Sequence, residues 1–391
     1  MLIKNGRVLI GDELLSVDVR VKDGKIAEIG KELSPDNDGV IDALGNYVFP
    51  GFVDIHNHGG FGGDYMDACD DSYDKALAFQ ASEGTTAVLT STVTSPVEAI
   101  ERLLEYSRRY KKKENPTCRV LGVHIEGPYI SHKKKGAQNE KYLRVPSKDP
   151  YDFILDNSDI IVNVTISAEL DGMVDMIKAL KAKGIYVSCG HDDGRGEHIY
   201  PAIEAGVTNV THWYCAASVA SIVNGVRDVG MMEIGLVDDR VTLEMIADMH
   251  HIIPELVKLA YKCKGADKLC LVSDALRASG MPEDGTLYSL GPIWEKNSLM
   301  FRAVNGIGRL LDGTFAGSLQ SLSKMVKNIV TRCQVPLIDA VKMASSSPAR
   351  AIGFDDVLGT IEVGKNADFC FMNDELSVTK TIVGGNVVFQ K

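Results

Sequence analysis

Eight short apolar runs recur through the middle of this chain, at 48–55, 86–90, 120–125, 160–166, 185–189, 209–211, 241–247 and 268–272. Amphipathic stretches at 73–83, 96–111, 172–183, 197–205 and 254–263 lie between them, and two more come after, at 319–332 and 337–345. Runs this short read as buried strands, and stretches with apolar residues every three or four positions read as helices. Their alternation predicts a parallel sheet with helical crossovers. Pro96 and Pro254 stand at helix starts, where a missing N–H costs nothing. Eight such units predict a (β/α)8 TIM-type barrel, with a doubly wound open sheet as the competing architecture.

The residues at the C-terminal ends of the runs favour the barrel. The first run leads into His56-Asn57-His58, the third ends at Glu126, and the fifth and sixth lead to His191 and His212. The seventh leads to Asp248-Met249-His250-His251 and the eighth to Ser273-Asp274. Side chains two residues apart on a strand point to one side, so His56 and His58 can reach one ion. In a barrel all the C-terminal strand ends share one face, where the other groups converge on the same place. Imidazole and carboxylate together are the usual ligands of a hydrolytic divalent metal. A lone strand-end histidine is more often a hydrogen-bonded structural group; six candidates at six consistent positions are not explained that way. His124 faces the same way as Glu126, either orienting it or merely packed. His132 and His198 lie off the strand ends and read as structural.

The first fifty residues and the last thirty-odd have a different texture. Short alternating runs are broken by turn pairs such as Asn5-Gly6, Asp23-Gly24 and Gly384-Gly385, the signature of hairpins. Neither end carries enough apolar surface to fold alone. Residues 1–50 and 347–391 are therefore expected to form one small β-sandwich from both termini, with 51–346 as the barrel.

The formal net charge of −11 argues against a general nucleic-acid or membrane-surface binder. The basic clusters at 108–113 and 133–135 are short and read as solvated helix ends or loops. Met1–Gly6 turns polar within a few residues, unlike a signal peptide. No apolar run approaches a membrane span. The eight scattered cysteines form no CxxC pair and read as reduced thiols, so a cytoplasmic location is expected.

The segments PGFVDIHNHGG, GVHIEGPYI…KKGA, THWYCAAS, RDVG, LVSDALRASG and LDGTFAGS make the resemblance specific. The chain resembles the amidohydrolase superfamily and, within it, the N-acetylglucosamine-6-phosphate deacetylases. That resemblance implies a hydrolase that removes the N-acetyl group from an N-acetylhexosamine 6-phosphate, with one or two divalent ions (zinc, iron, manganese or cobalt). Glu126, His191 and His212 would bind the ion present throughout the family. His56 and His58 would hold a second, bridged by Glu126. Asp274 would serve as general base and then general acid. Arg227 would bind the sugar phosphate and His251 would contact the substrate. A homodimer is the family expectation. The chemistry agrees, because a metal lowers the pKa of bound water from about 15.7 to about 7 and polarises a carbonyl, while a carboxylate can carry the proton to the departing nitrogen. No GxSxG nucleophile motif is present.

Gln138, Cys215 and Ala216 fall at or beside substrate-contacting positions, and here the chain departs from the family pattern. Gln138 replaces a histidine, Cys215 an asparagine, Ala217 a methionine and Met249 a glycine; His250 is an additional imidazole. Asp192 and Asp193 would repel a phosphate unless they point away. Alternatives are an N-acyl or cyclic-amide hydrolase of the same superfamily, and a non-catalytic barrel scaffold. The first often needs a lysine on strand four, where this chain has none, and the second usually loses the ligands kept here. The segment 213–240 is long enough to form an interface or reach a neighbouring site, and 277–314 is expected to be a loop over the mouth.

Overall fold

A computed structural model describes residues 1–35 and 39–391. Eight strands form one parallel sheet: β1 (Phe52–Asn57), β2 (Thr85–Ser91), β3 (Arg119–Glu126), β4 (Ile161–Ile166), β5 (Tyr186–Cys189), β6 (Val207–Val210), β7 (Thr242–Met245) and β8 (Leu269–Leu271). They lie side by side in chain order. Closure between β8 and β1 comes just beyond the strands. The Asp274 N–H donates to the His56 carbonyl at 2.8 Å and the His58 N–H to the Ala275 carbonyl at 2.9 Å. Asp54 ties the same seam, accepting from the Ser273 N–H at 3.2 Å and its hydroxyl at 2.5 Å. The (β/α)8 barrel is therefore the architecture, and the open-sheet alternative falls away.

The strands are nearly continuous apolar runs because helices cover one face and barrel-filling side chains the other. All seven residues of β2 are buried. Helix Val97–Lys111 shows why the outer layer forms. Pro96 caps it at φ −53°, Glu98 sits in its first turn and Arg108, Arg109 and Lys111 in its last, each sign opposite to the helix dipole end it faces. Ala99, Ile100, Leu103, Leu104, Ser107 and Tyr110 make its buried stripe, at helical spacing.

One reading needs correction at the first run. The run at 48–55 is two strands, not one. Tyr47–Pro50 pairs with Arg7–Ile10 and Phe369–Met372 in a terminal sheet, whereas β1 pairs with β2. The chain changes sheet at Gly51, where a Cβ would come within 2.1 Å of the Thr86 hydroxyl. Hydropathy is blind to this step because both halves are buried. The terminal segments form a four-stranded and a six-stranded sheet. Ile3, Val8, Val19 and Val48 from one end of the chain pack with Phe369, Phe371 and Ile382 from the other.

The second correction lies after β8. Residues 277–314 are not simply a loop: Leu287–Leu290, Leu299–Val304, Ile307–Leu310 and Phe315–Ser318 form a four-stranded antiparallel sheet. Its central hairpin turns at Asn305-Gly306, both at positive φ, a two-residue hairpin signal that was present in the sequence. Arg277 anchors the sheet from beneath. Its guanidinium pairs with both Asp67 oxygens at 2.9 and 3.0 Å and donates to the Ser289 and Gly291 carbonyls. A second hairpin, Ser221–Val223 with Val226–Asp228, projects from the segment after β6. Helix Ser346–Ala351 buries Ser346, Ser347, Pro348 and Ala349. Among the described residues no helix is long and apolar enough to cross a membrane.

Candidate metal centre

The six strand-end groups meet. Glu126, the last residue of β3, is the hub: its Oε1 lies 3.2 Å from His191 Nε2, 3.1 Å from His212 Nε2 and 3.5 Å from His56 Nε2. Its Oε2 lies 3.6 Å from His58 Nε2. Asp274 Oδ1 stands 3.0 Å from His58 Nε2 and 3.8 Å from His56 Nε2. All six are buried. His191, His212 and Asp274 hold left-handed backbone conformations, at φ 49°, 27° and 45°. Such conformations are uncommon outside glycine and collect at functional sites. Here they turn each side chain inward as its strand gives way to a loop.

The donor set fits a dication. His191 Nε2 and His212 Nε2 face each other at 3.2 Å, and both face Glu126. Two imidazole nitrogens and a carboxylate oxygen so close need a proton or a cation between them. The His56 Nε2, His58 Nδ1 and His212 Nδ1 atoms have no hydrogen-bond partner among the described residues although buried. Glu126, His191 and His212 form one group able to hold an ion, and His56, His58 and Glu126 a second. Burial opposes ionisation of Glu126, yet the charge of His56 and the hydrogen bonds of His191 and His212 hold its carboxyl well below the usual range. Burial likewise opposes ionisation of Asp274, and His58 and His56 more than offset it, so its carboxyl also lies low.

Outward from this floor opens a cavity of about 400 Å³, bordered by His58, Gln138, Cys215, Ala216, His251 and Asp274 among others. His251 is held by Asp248, whose Oδ2 is 2.7 Å from Nδ1. Cys215 borders the cavity, and burial raises its thiol above the ordinary range. Phe315 and Leu290 of the added sheet close one side.

Gln138, Arg227 and the Asp192-Asp193 pair have different surroundings. Gln138 is tied to the floor: its Nε2 donates to Glu126 Oε2 at 2.6 Å and its Oε1 accepts from the Thr94 N–H at 2.6 Å. Arg227 is exposed in the Ser221–Asp228 hairpin and does not border the cavity of its own chain. Asp192 points away from the cavity. Its oxygens accept from the Ala168 N–H at 2.7 Å and the Gly194 N–H at 2.9 Å, and burial raises it to about 7. Asp193 is paired with Lys133 at 3.0 Å, so neither carboxylate stands bare toward an anion.

His124 proves to be packed. Its ring meets that of His56 edge-on at 4.5 Å, with its nitrogens 3.0 Å from the Ser91 hydroxyl and 2.7 Å from that of Thr165. Burial pushes its imidazole well below the usual range. His198 caps a helix through the Arg195 N–H. His132 is exposed and lies 3.5 Å from Glu140. Sequence reasoning missed Glu244 of β7, fully buried with Oε2 3.1 Å from His56 Nδ1. Its signal was a charge in the middle of an apolar strand, where charged residues rarely stand without a partner.

The pattern of the amidohydrolase family matches residues 47–388. The N-acetylglucosamine-6-phosphate deacetylase of Vibrio furnissii is 33% identical, over 95% of this chain and 94% of the relative. The N-acetylgalactosamine-6-phosphate deacetylase of Escherichia coli O157:H7 is 31% identical, over 94% of each. Among solved structures, N-acetylglucosamine-6-phosphate deacetylase from Pasteurella multocida superposes with a TM-score of 0.91 at 30% identity, covering 100% of this chain and 99% of that one.

Proposed function

The chain belongs to the amidohydrolase family, and from that premise we propose that it removes the N-acetyl group from an N-acetylhexosamine 6-phosphate, releasing acetate and the amino-sugar phosphate. The glucosamine epimer is the first choice and the galactosamine epimer the second, as the named relatives include both. The observation that carries the reading is the convergence of four imidazoles and Asp274 around Glu126 beneath an open cavity.

Glu126, His191 and His212 would hold one divalent ion, and His56 and His58 with Glu126 a second. A bound ion supplies Lewis acidity toward the amide oxygen and makes water acidic enough to react near neutrality. Nitrogen and oxygen donors of this kind suit zinc, iron, manganese or cobalt. Asp274 has its carboxylate in place to accept a proton from water at Oδ and return it to the leaving nitrogen. An amide anion is a poor leaving group, so that return matters as much as the first transfer. His251, Cys215 and Ala216 border the space left for the sugar. Gln138 contributes by holding Glu126 and presents the same amide to the cavity wall.

Arg227 suits a phosphate by its planar fork of donors. Its exposure outside its own cavity supports a homodimer in which each Arg227 serves the other chain's site. Exposed Val219, Ile222, Val223 and Val226 in and beside the same hairpin give that contact an apolar component. A cytoplasmic location fits a phosphorylated sugar and eight cysteines that are all free.

The test is acetate release from both 6-phosphates and from the unphosphorylated sugars. Turnover is expected with the phosphorylated compounds and much less without phosphate. No release from either epimer removes the function; equal turnover without phosphate removes the role of Arg227.

A further inference from the structure

We infer that Glu244 is a positioning residue that commits the His56–His58 pair to a second divalent ion. The inference rests on the reading of the strand-end cluster as a metal centre and adds a residue to it. Glu244 and His56 are both fully buried, and Oε2 stands 3.1 Å from Nδ1. A ring nitrogen facing a carboxylate keeps its proton, so Nε2 is the nitrogen that can give up its own and offer a lone pair to an ion. That atom has no hydrogen-bond partner among the described residues and looks toward Glu126 at 3.5 Å and Asp274 at 3.8 Å. A carboxylate behind an imidazole fixes ring and tautomer and makes the imidazole a stronger donor.

The surroundings of Glu244 admit only an acceptor at both oxygens. Oε1 takes the Asn209 amide N–H at 2.6 Å, and Oε2 takes the His212 backbone N–H at 3.2 Å besides His56. Asn209 is itself fixed, donating to the Ser188 hydroxyl at 3.0 Å and accepting from that of Thr242 at 2.7 Å. The first group is built differently: His191 Nδ1 is held by the Lys134 carbonyl at 2.8 Å, a neutral acceptor. Glu244 also takes the His212 backbone N–H, but that bond asks only for an oxygen, whereas the His56 ring is backed by the carboxylate itself, a charge that can be removed alone.

The experiment is a zinc titration of chelator-stripped full-length protein against a chromophoric competitor, with bound zinc counted by elemental analysis. The unaltered chain should take up two ions in two steps. In Glu244→Gln one step should weaken by about 10–100-fold while the other stays put, and His56→Ala should remove the same step. Asn209→Ala, which loosens Glu244 without touching His56, should weaken that step less, and it decides the matter if Glu244→Gln does not fold. Uptake of one ion by the unaltered chain overturns the inference. So does an equal weakening of both steps, or no change in either. These counts need no substrate, so a chain that deacetylates nothing but binds two ions as described would sink the proposed function and leave this inference standing.

Discussion

The floor and the rim of the cavity are built on different terms. On the floor, Glu126, His191, His212, His56 and His58 are buried at the ends of β1, β3, β5 and β6, and their partners are other buried groups. At the rim, Lys133 and Tyr214 are exposed, and farther out, beyond the lining, Arg227 sits in a solvent-facing hairpin. Gln138 and Cys215 border the cavity, whereas Asp192 and Met249 are buried outside its lining. A rigid floor fixes what reaction is possible, and a looser rim fixes what molecule is brought to it.

That contrast predicts a ranking of effects. Asp274→Asn should lower kcat by about 10²–10⁴-fold while bound metal is retained, read by acetate release alongside elemental analysis; unchanged turnover would mean the proton passes elsewhere. Arg227→Ala acts outside the chain's own cavity and, on the proposed reading, should remove charge-assisted bonds worth about 1.5–3 kcal/mol. KM for a phosphorylated substrate should rise by about 10–100-fold, with little change for the unphosphorylated sugar. A drop in kcat equal for both would place Arg227 in the structure rather than in recognition.

Gln138 lies between the two regions. Gln138→Ala leaves the Thr94 N–H without its partner and Glu126 Oε2 without its donor. It should cost about 1–3 kcal/mol in denaturant unfolding. No loss of stability would return Gln138 to the rim as a substrate contact alone. Met249→Gly should have the smallest effect. Met249 holds φ 67°, a strain of about 1–2 kcal/mol for a side chain, but its buried thioether is worth about 1.5–3 kcal/mol. The two partly offset, so the unfolding free energy should fall by no more than about 2 kcal/mol; a larger shift would show that the packing loss dominates.

The order of strands, the barrel and the residues of the floor were legible because each depends on local pattern. A buried strand is apolar, and its end is where a polar side chain can first stand. The step at Gly51, the fate of His124 and the partner of Gln138 were not legible, because each depends on which side chain meets which across the sheet. Asp192 and Asp193 looked like obstacles by position alone; backbone N–H groups and Lys133 account for them. The Asn305-Gly306 and Asn224-Gly225 hairpins, both with positive φ at each residue, were within reach of turn chemistry.

From residue types and their spacing alone came the imidazoles, the carboxylates and the strand ends that carry them, since covalent order sets which groups come after each apolar run. Tertiary structure decided that Gln138 would bind Glu126, that Glu244 would stand behind His56, and that Arg227 would lie outside its own cavity. Those outcomes turn on side-chain directions and distances of about 3 Å, the reach of a hydrogen bond, and no one-dimensional pattern fixes a length of that kind.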